Sequence, residues 1–182
     1  MSFSAPSSMT GTSRWGGHRL PWLLLISIAV LIVDRLSKIW VVGHVPLYGA
    51  IPIIPGFLKI SHWTNEGAAF SLFADTASPR MVNHALIAVN FLVGVGVLLA
   101  LVRFGRRITP MTLAFALVLG GALGNVHDRI AYGAVIDFIE VHIFGYHWPD
   151  FNVADSAIVT GACLLLLDSL LPRKASEPQT TP

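Results

Sequence analysis

Two aspartates in apolar surroundings, Asp137 and Asp155, have the residue type and setting for acid–base chemistry. Asp137 lies in the apolar segment 133–139, and Asp155 lies near the start of an apolar run in 151–158. A carboxylate next to hydrocarbon costs free energy, and two that lie close together do not both ionise easily. Such a pair can share a proton and activate water. Neither has a basic residue within four positions, so local charge pairing does not explain them.

The composition of the chain is typical of an integral membrane protein. Its 182 residues are 54% hydrophobic and 12% charged, whereas a soluble domain carries about 25% charged residues. The net charge of +2 is too small to indicate a nucleic-acid partner. The single cysteine, Cys163, excludes an internal disulfide and lies in an apolar run. We interpret it as a small packing residue rather than a catalytic thiol.

Four apolar runs predict four transmembrane helices, at about 20–42, 81–102, 109–127 and 152–171. Trp22 and Trp40 bracket the first run, and their spacing corresponds to about 27 Å of helix, close to the hydrocarbon thickness. A cleaved signal peptide is the alternative interpretation of this run. The run is too long for that, and it contains Asp34, Arg35 and Lys38. We therefore predict an uncleaved helix.

The distribution of basic residues predicts the orientation of these helices. Four spans place both termini on one side, and seven of the twelve Lys and Arg residues lie on that side near span ends. They are Arg14, Arg19, Arg103, Arg106, Arg107, Arg173 and Lys174. That side is therefore expected to be cytoplasmic. It includes a disordered tail at 1–19 and a second tail at 172–182.

The first connector on the outer side, at about 43–75, mixes β-branched and aromatic residues with turn formers. This pattern predicts short strands. The predicted fold is a mainly α membrane protein with four transmembrane helices and a small β-containing extracytoplasmic connector.

Polar residues inside the predicted spans collect near the outer interface. Asp34 is expected about 9 Å inside that interface, with Lys38 one turn further out on the same face. An ordinary helix ion pair is the alternative interpretation of these two residues.

The third and fourth helices deliver polar groups to the same depth. Asn125, Asp128 and Arg129 have i, i+3 and i+4 spacing and share one face, and Asn152 and Asp155 fall in the first turn of the fourth helix. Each has a simpler interpretation. Asp128 and Arg129 are also typical of a membrane interface, Asn152 of an N-cap, and Asp155 of a helix start.

The remaining motifs of the chain give weaker indications of function than the polar residues do. The histidines show no metal-ligand spacing such as HExxH, and no phosphate-loop or dinucleotide motif appears, so neither a metal nor another cofactor is expected. Gly120 and Gly124 form a GxxxG motif, which predicts close helix packing.

Five short strings occur in order along the chain: DRLSK at 34–38, NEGAAFS at 65–71, GGALGNVHDR at 120–129, VIDFI at 135–139 and FNVADS at 151–156. With the four-span layout they cover roughly residues 20–171. In this combination the chain resembles the lipoprotein signal peptidase (signal peptidase II) family of bacterial membrane aspartyl proteases. The first string departs from the family pattern, since Arg35 replaces a common glutamine and Ser37 a threonine.

The resemblance implies an aspartic endopeptidase with a catalytic dyad at Asp137 and Asp155. It also implies supporting or substrate-binding positions at Asp34, Lys38, Asn65, Gly67, Asn125, Arg129, Asn152 and Ala154. Such an enzyme removes the signal peptide from diacylglyceryl-modified prolipoproteins, cutting before the lipidated cysteine of the substrate. It resides in the bacterial cytoplasmic (inner) membrane, with its site near the outer face. We expect its partners to be this substrate and membrane lipids, and the chain to be a monomer.

In the implied mechanism, one ionised aspartate takes a proton from water and the other, protonated, polarises the scissile carbonyl. Either aspartate can hold the proton, because the pair titrates together.

Two other functional classes predict different distributions of polar residues. A proton-coupled transporter predicts polar residues along the whole depth of the bundle, whereas the cytoplasmic halves of the first three helices are almost purely apolar. Asp168, near the inner end of the fourth helix, fits an interface position. A structural membrane subunit would explain the glycine packing motif, but it gives no reason for carboxylates at 137 and 155.

Overall fold

A computed structural model of the protein describes residues 19–67 and 78–171. The predicted tails at 1–18 and 172–182, and the part of the predicted β connector from 68 to 75, lie outside the described residues. The elements follow in chain order as α1 (Leu20–His44), β1 (Ala50–Ile54), β2 (Leu58–Asn65), α2 (Pro79–Phe104), α3 (Pro110–Tyr132), β3 (Val135–Ile143), β4 (Tyr146–Phe151) and α4 (Val153–Leu170).

The predicted fold class is confirmed. Four helices are long and apolar enough to cross a membrane, and the strands form one small antiparallel sheet in the order β1-β2-β3-β4. The outward faces of the helices carry exposed apolar side chains, as expected for surfaces that meet lipid.

Helix ends differ from the sequence prediction where capping decides them. The third helix runs to Tyr132 rather than 127, and Gly133 ends it in the left-handed region at φ 78°. The fourth helix begins at Val153, so Asn152 is its N-cap and not part of its first turn. The cap fixes the position of Asn152 at the junction of helix and sheet.

The sheet is larger than the sequence pattern indicated. Strands were predicted only in the first outer connector, but the second connector supplies β3 and β4. β2 pairs with β3, which places Trp63 opposite Asp137 and Asn65 opposite Val135. This long-range pairing joins the two outer connectors and brings the first of them alongside Asp137.

Helix α3 is the central helix and contacts each of the other three. Small residues allow this close packing: a Cβ at Gly120 would lie 2.6 Å from the Ser27 carbonyl oxygen of α1. A Cβ at Gly121 would collide with the Ala154 carbonyl oxygen of α4. The predicted role of Gly120 in helix packing agrees with this geometry.

The core at the end of the bundle away from the sheet is apolar. Leu23, Leu101, Ala116 and Leu119 form one buried cluster there. Buried carboxylates of the described spans instead lie near the sheet.

Candidate active site

The start of helix α4 is held by a reciprocal cap between Asn152 and Asp155. The Asp155 backbone N–H donates to Asn152 Oδ1 at 2.9 Å, and the Asn152 N–H donates to Asp155 Oδ2 at 3.3 Å. This capping box satisfies backbone donors that the helix leaves unpaired. The simpler interpretation of both residues as helix-start residues is therefore correct, but it describes only part of their contacts.

The side-chain amide of Asn152 also reaches Asp137. Its Nδ2 donates to Asp137 Oδ1 at 2.7 Å and lies 3.3 Å from the Ile136 carbonyl oxygen. Asn152 is fully buried, so these bonds form away from water. One residue thus connects Asp137 on β3 to Asp155 on α4, and the two predicted dyad members share a single hydrogen-bonded junction.

The second oxygen of Asp137 is bound from strand β2. Asn65 Nδ2 donates to Asp137 Oδ2 at 3.0 Å, and Asn65 Oδ1 accepts from the Gly67 N–H at 2.8 Å. Gly67 has φ 107°, a conformation that favours glycine, and a Cβ there would lie 2.8 Å from Leu86 Cδ1. The predicted positions Asn65 and Gly67 therefore form one turn beside Asp137.

Burial raises the pKa of Asp137 to about 6. The nearby charge of Asp155 also raises this pKa and the hydrogen bonds from Asn65 and Asn152 lower it, but burial has the largest effect. Asp137 is 3% exposed, so the cost of removing a carboxylate from water dominates. The physical expectation for a carboxylate in apolar surroundings thus holds for Asp137.

Asn125 of α3 binds the other aspartate. Its Nδ2 donates to Asp155 Oδ1 at 2.8 Å, and its Oδ1 lies 3.5 Å from Asn152 Nδ2. Both oxygens of Asp155 therefore accept N–H donors, while its side chain stays only half-buried. Asp155 is thus positioned firmly and still accessible to a small molecule such as water.

Arg129 lies beside the junction. Its guanidinium is close enough to interact with the charges of Asp137 and Asp155, and its Nη1 lies 3.4 Å from the Asn65 carbonyl oxygen. Its buried Nε has no hydrogen-bond partner within residues 19–67 and 78–171. A buried, directed N–H beside two carboxylates is suited to bind an oxygen that carries developing negative charge.

A second polar network supports the first from α1. Lys38 Nζ bonds Asp34 Oδ2 at 2.8 Å and Asp128 Oδ2 at 2.7 Å, and all three side chains are fully buried. Asp34 Oδ1 accepts from the Ala154 N–H at 3.0 Å. The pair is therefore more than an ordinary i, i+4 helix pair, because it ties α1 and α3 to the first turn of α4.

Asp128 and Arg35 belong to this network, although neither is among the supporting positions that the family resemblance implies. Asp128 is 0% exposed and bonds Arg35 as well as Lys38, and it accepts from the Ile136 N–H at 3.4 Å. Arg35 also donates to the Tyr132 hydroxyl at 3.1 Å. The sequence signal for Asp128 is its helical spacing from Asn125, which puts the two residues on one face of α3. Arg35, which replaces a glutamine common in the family pattern, thus gives Asp128 a second cationic partner.

Gly124 makes room where the two networks approach each other. A Cβ on this glycine would lie 2.7 Å from Asp34 Oδ2 and 3.3 Å from Ala154 Cβ. The second glycine of the GxxxG motif is therefore needed for the site as well as for packing.

The arrangement provides one buried and one half-buried carboxylate, each with fixed hydrogen-bond donors, beside a cation. This is suited to general acid–base activation of water. Among the described residues, the His, Asp and Glu side chains close enough to share a metal ion are Glu140, His142 and His147, and neither dyad aspartate belongs to that group.

Comparison with known proteins identifies the family. The family model described as signal peptidase (SPase) II matches residues 26–171. The lipoprotein signal peptidase of Yersinia enterocolitica is 42% identical over 154 residues, covering 84% of this chain and 88% of the relative. That of Pseudomonas fluorescens is 45% identical over 166 residues, covering 91% of this chain and 95% of the relative.

Solved structures of bacterial membrane enzymes are similar to this chain. A bacterial membrane enzyme determined by the in meso method at 1.9 Å superposes with a TM-score of 0.68 at 30% identity, covering 86% of this chain and 99% of that one. A second, determined at 2.3 Å, has a TM-score of 0.65 at 31% identity. The residues that the family model matches include most of α1, all of the other three helices and the whole hydrogen-bonded junction, and the chain therefore belongs to the signal peptidase II family of membrane peptidases.

Proposed function

We propose that this protein is an aspartic endopeptidase that removes the signal peptide from diacylglyceryl-modified prolipoproteins, cutting before the lipidated cysteine. The observation that carries this proposal is the junction at Asn152, which binds Asp137 through its side chain and Asp155 through its backbone. Two carboxylates held by one residue are arranged to act as a pair. The relatives are named lipoprotein signal peptidases, which supports the substrate class.

The depth of the junction agrees with such a substrate. Asp155 lies in the first turn of a span, and Asp137 lies in the sheet that follows α3. A substrate whose signal helix and acyl chains lie in the bilayer presents its scissile bond at the membrane surface. The basic residues predict that this surface is the outer face, with both termini of the chain in the cytoplasm.

Asp137 is the member of the dyad that we assign to hold the proton at the start. Its pKa is raised to about 6 by burial, and a substrate that excludes water would add to that effect. Asp155 lies at a helix N-terminus, where the helix dipole favours negative charge. This assignment makes Asp155 the base and Asp137 the acid.

Water then attacks the scissile carbonyl carbon. Asp155 takes one proton from the water, and Asp137 gives its proton to the carbonyl oxygen to form a tetrahedral diol. When the diol collapses, the C–N bond breaks, the proton on Asp155 goes to the leaving nitrogen, and Asp137 recovers its proton from the diol hydroxyl. The Arg129 guanidinium beside both carboxylates stabilises the oxygen that gains charge.

The substrate class is tested with two peptides that differ only in the lipid. Each contains a signal helix followed by cysteine, and one of them carries the diacylglyceryl group on that cysteine. The purified protein in lipid nanodiscs is expected to cut only the lipidated peptide, at the bond before the cysteine, as read by product mass. Equal cleavage of both peptides, or cleavage at another bond, would contradict the proposed specificity. No cleavage by folded protein would contradict the reaction itself.

The raised pKa of Asp137 predicts a pH-dependent stability. Its folded pKa of about 6 exceeds the unfolded pKa, so its contribution to stability is fully present below about pH 4 and is lost as pH rises through about 6. A separation of about two pH units corresponds to a change on the order of 3 kcal/mol. We expect the thermal midpoint of the wild type to fall over this interval.

The Asp137→Asn protein isolates this contribution, because it has no titrating group at position 137. Its thermal midpoint is expected to fall less between about pH 4 and pH 7 than that of the wild type. Asp168→Asn, the same substitution at the far end of α4, should keep the wild-type profile. Identical profiles for wild type and Asp137→Asn would mean that the pKa of Asp137 is not raised.

A further inference from the structure

The β3–β4 hairpin brings together three side chains that sequence spacing did not connect. Glu140 and His142 lie two residues apart on β3 and therefore on the same face of the strand. His147 lies on β4 directly opposite His142. Their ligand atoms all lie within 4.8 Å of one another. His142 Nε2 lies 2.6 Å from Glu140 Oε1, and the two imidazole rings stack with centroids 4.9 Å apart.

The backbone of the hairpin fixes these positions. Ile143 pairs with Tyr146, so only Phe144 and Gly145 form the turn, with φ of 50° and 82°. Two consecutive positive φ values are typical of the type I′ turn, whose twist matches that of the strands. The opposed pair His142 and His147 is therefore set by strand register and not by flexible side chains alone.

Two imidazoles and a carboxylate are a ligand set that binds zinc and similar divalent transition metals. A tetrahedral zinc ion with bonds of about 2.0–2.1 Å requires ligand atoms about 3.4 Å apart. The separations in the structure lie on both sides of this value, from 2.6 Å between His142 Nε2 and Glu140 Oε1 to at most 4.8 Å within the group. We propose that Glu140, His142 and His147 form a binding site for a divalent transition-metal ion, with zinc as the reference ion.

The surroundings of the cluster supply both a supporting partner and a competitor. His147 Nε2 lies 2.8 Å from Asp150 Oδ1, a carboxylate that can orient the ring or join the ion. Lys59 Nζ bonds Glu140 Oε1 at 2.7 Å and competes with a cation for that oxygen. The His142 and His147 side chains are 28% and 53% exposed, which leaves an ion a route from solvent.

The site is separate in its chemistry from peptide cleavage. Its ligands come from the hairpin, whereas the dyad depends on Asn65, Asn125 and Asn152 for its hydrogen bonds. Glu140 nevertheless follows Asp137 by three residues on the same strand. A bound ion would cross-link β3 to β4 and so stabilise the strand that carries Asp137. The proposal does not depend on which reaction the dyad performs.

Zinc binding is measured by titration calorimetry on the full-length protein in detergent, with any affinity tag removed and metal stripped by a chelator. We expect saturation at one ion per chain. His142→Gln and His147→Gln should each weaken binding at least about tenfold. The matched control is His44→Gln, which changes an exposed histidine that bonds and stacks with Trp40 and should bind zinc as wild type does. Lys59→Gln should bind at least as tightly as wild type, because the competing ammonium is gone.

A second measurement separates ligation from folding. Without metal, the two histidine variants should unfold at the wild-type temperature, since both side chains are partly exposed. With saturating zinc, the thermal midpoint should rise for wild type and His44→Gln but not for His142→Gln or His147→Gln. Absence of saturable binding by the wild type, or equal binding by wild type and both histidine variants, would overturn the proposal.

Discussion

Asp137→Asn and Asp155→Asn are each expected to reduce peptide cleavage about 10³-fold or more, while the protein still folds and enters the membrane. Asparagine keeps the size of the side chain and one of the two acceptor oxygens, so at position 137 it can keep the bond from Asn152 but loses the bond from Asn65. It neither accepts a proton from water nor donates an acidic proton to the carbonyl oxygen. The substitution therefore removes the chemistry and leaves the packing nearly intact.

The measurement is turnover of the lipidated peptide by each purified variant, with folding verified by circular dichroism and gel filtration. Asp168→Asn is the matched control, because it makes the same change on α4 away from the junction. Cys163→Ala is a second control, since this exposed thiol contributes nothing to the proposed reaction. Both should cleave at the wild-type rate. Substantial cleavage by a folded Asp137→Asn or Asp155→Asn protein would show that the dyad assignment is wrong. Loss of cleavage in Cys163→Ala would favour a thiol mechanism.

Lys38→Met is expected to destabilise the protein by about 3–5 kcal/mol. Lys38 lies between Asp34 and Asp128, and none of these side chains is exposed. Removing the ammonium leaves the buried Asp34 carboxylate without its cation, and Asp128 then depends on Arg35 alone. Methionine retains most of the volume of lysine, so the loss reports on charge rather than on a cavity.

Lys59→Met provides the comparison for this prediction. Lys59 also pairs with a carboxylate, Glu140, but its side chain is 36% exposed. A solvated pair of this kind contributes at most about 1 kcal/mol. Detergent-solubilised variants are compared by their free energies of unfolding in a chemical denaturant. If Lys38→Met is destabilised no more than Lys59→Met, the buried network does not hold the bundle together. Loss of activity without loss of stability would instead assign Lys38 to positioning Ala154 through Asp34.

The two networks meet at the first turn of α4. One holds the Ala154 N–H through Asp34, and the other holds Asp155 through Asn125 and Asn152. Side chains from α1 and α3 thus fix the backbone of the first turn of α4. Small residues permit this approach, since a Cβ at Gly124 would press on Asp34 Oδ2. The structure of the site therefore depends on close helix packing as well as on its polar residues.

Much of the architecture follows from local sequence. The apolar runs predicted four helices because a bilayer requires about twenty apolar residues in each span. Helical spacing placed Asn125 and Asp128 on one face, and the structure brings both into polar networks at the end of α3 near the sheet. The composition of residues 151–156 indicated a helix start, which the Asn152 cap now explains.

Other features depend on contacts that local patterns do not encode. β3 and β4 were missed because a strand is stabilised by its neighbour, and the neighbour of β3 is β2, from the other side of α2. The register of that pair, shifted by an irregularity between Ile60 and Trp63, decides that Asn65 reaches Asp137. A slip of one residue would turn Asn65 to the opposite face.

The sequence by itself therefore determined which polar residues interrupt the apolar spans and near which end of each span they lie, because span length and helical period are local properties. The tertiary structure alone decided which of them share hydrogen bonds. It made Asn152 the link between Asp137 and Asp155, paired Lys38 with Asp128, and set His142 opposite His147. Strand register and helix contacts fix these pairings, and both arise from packing between segments that are distant along the chain.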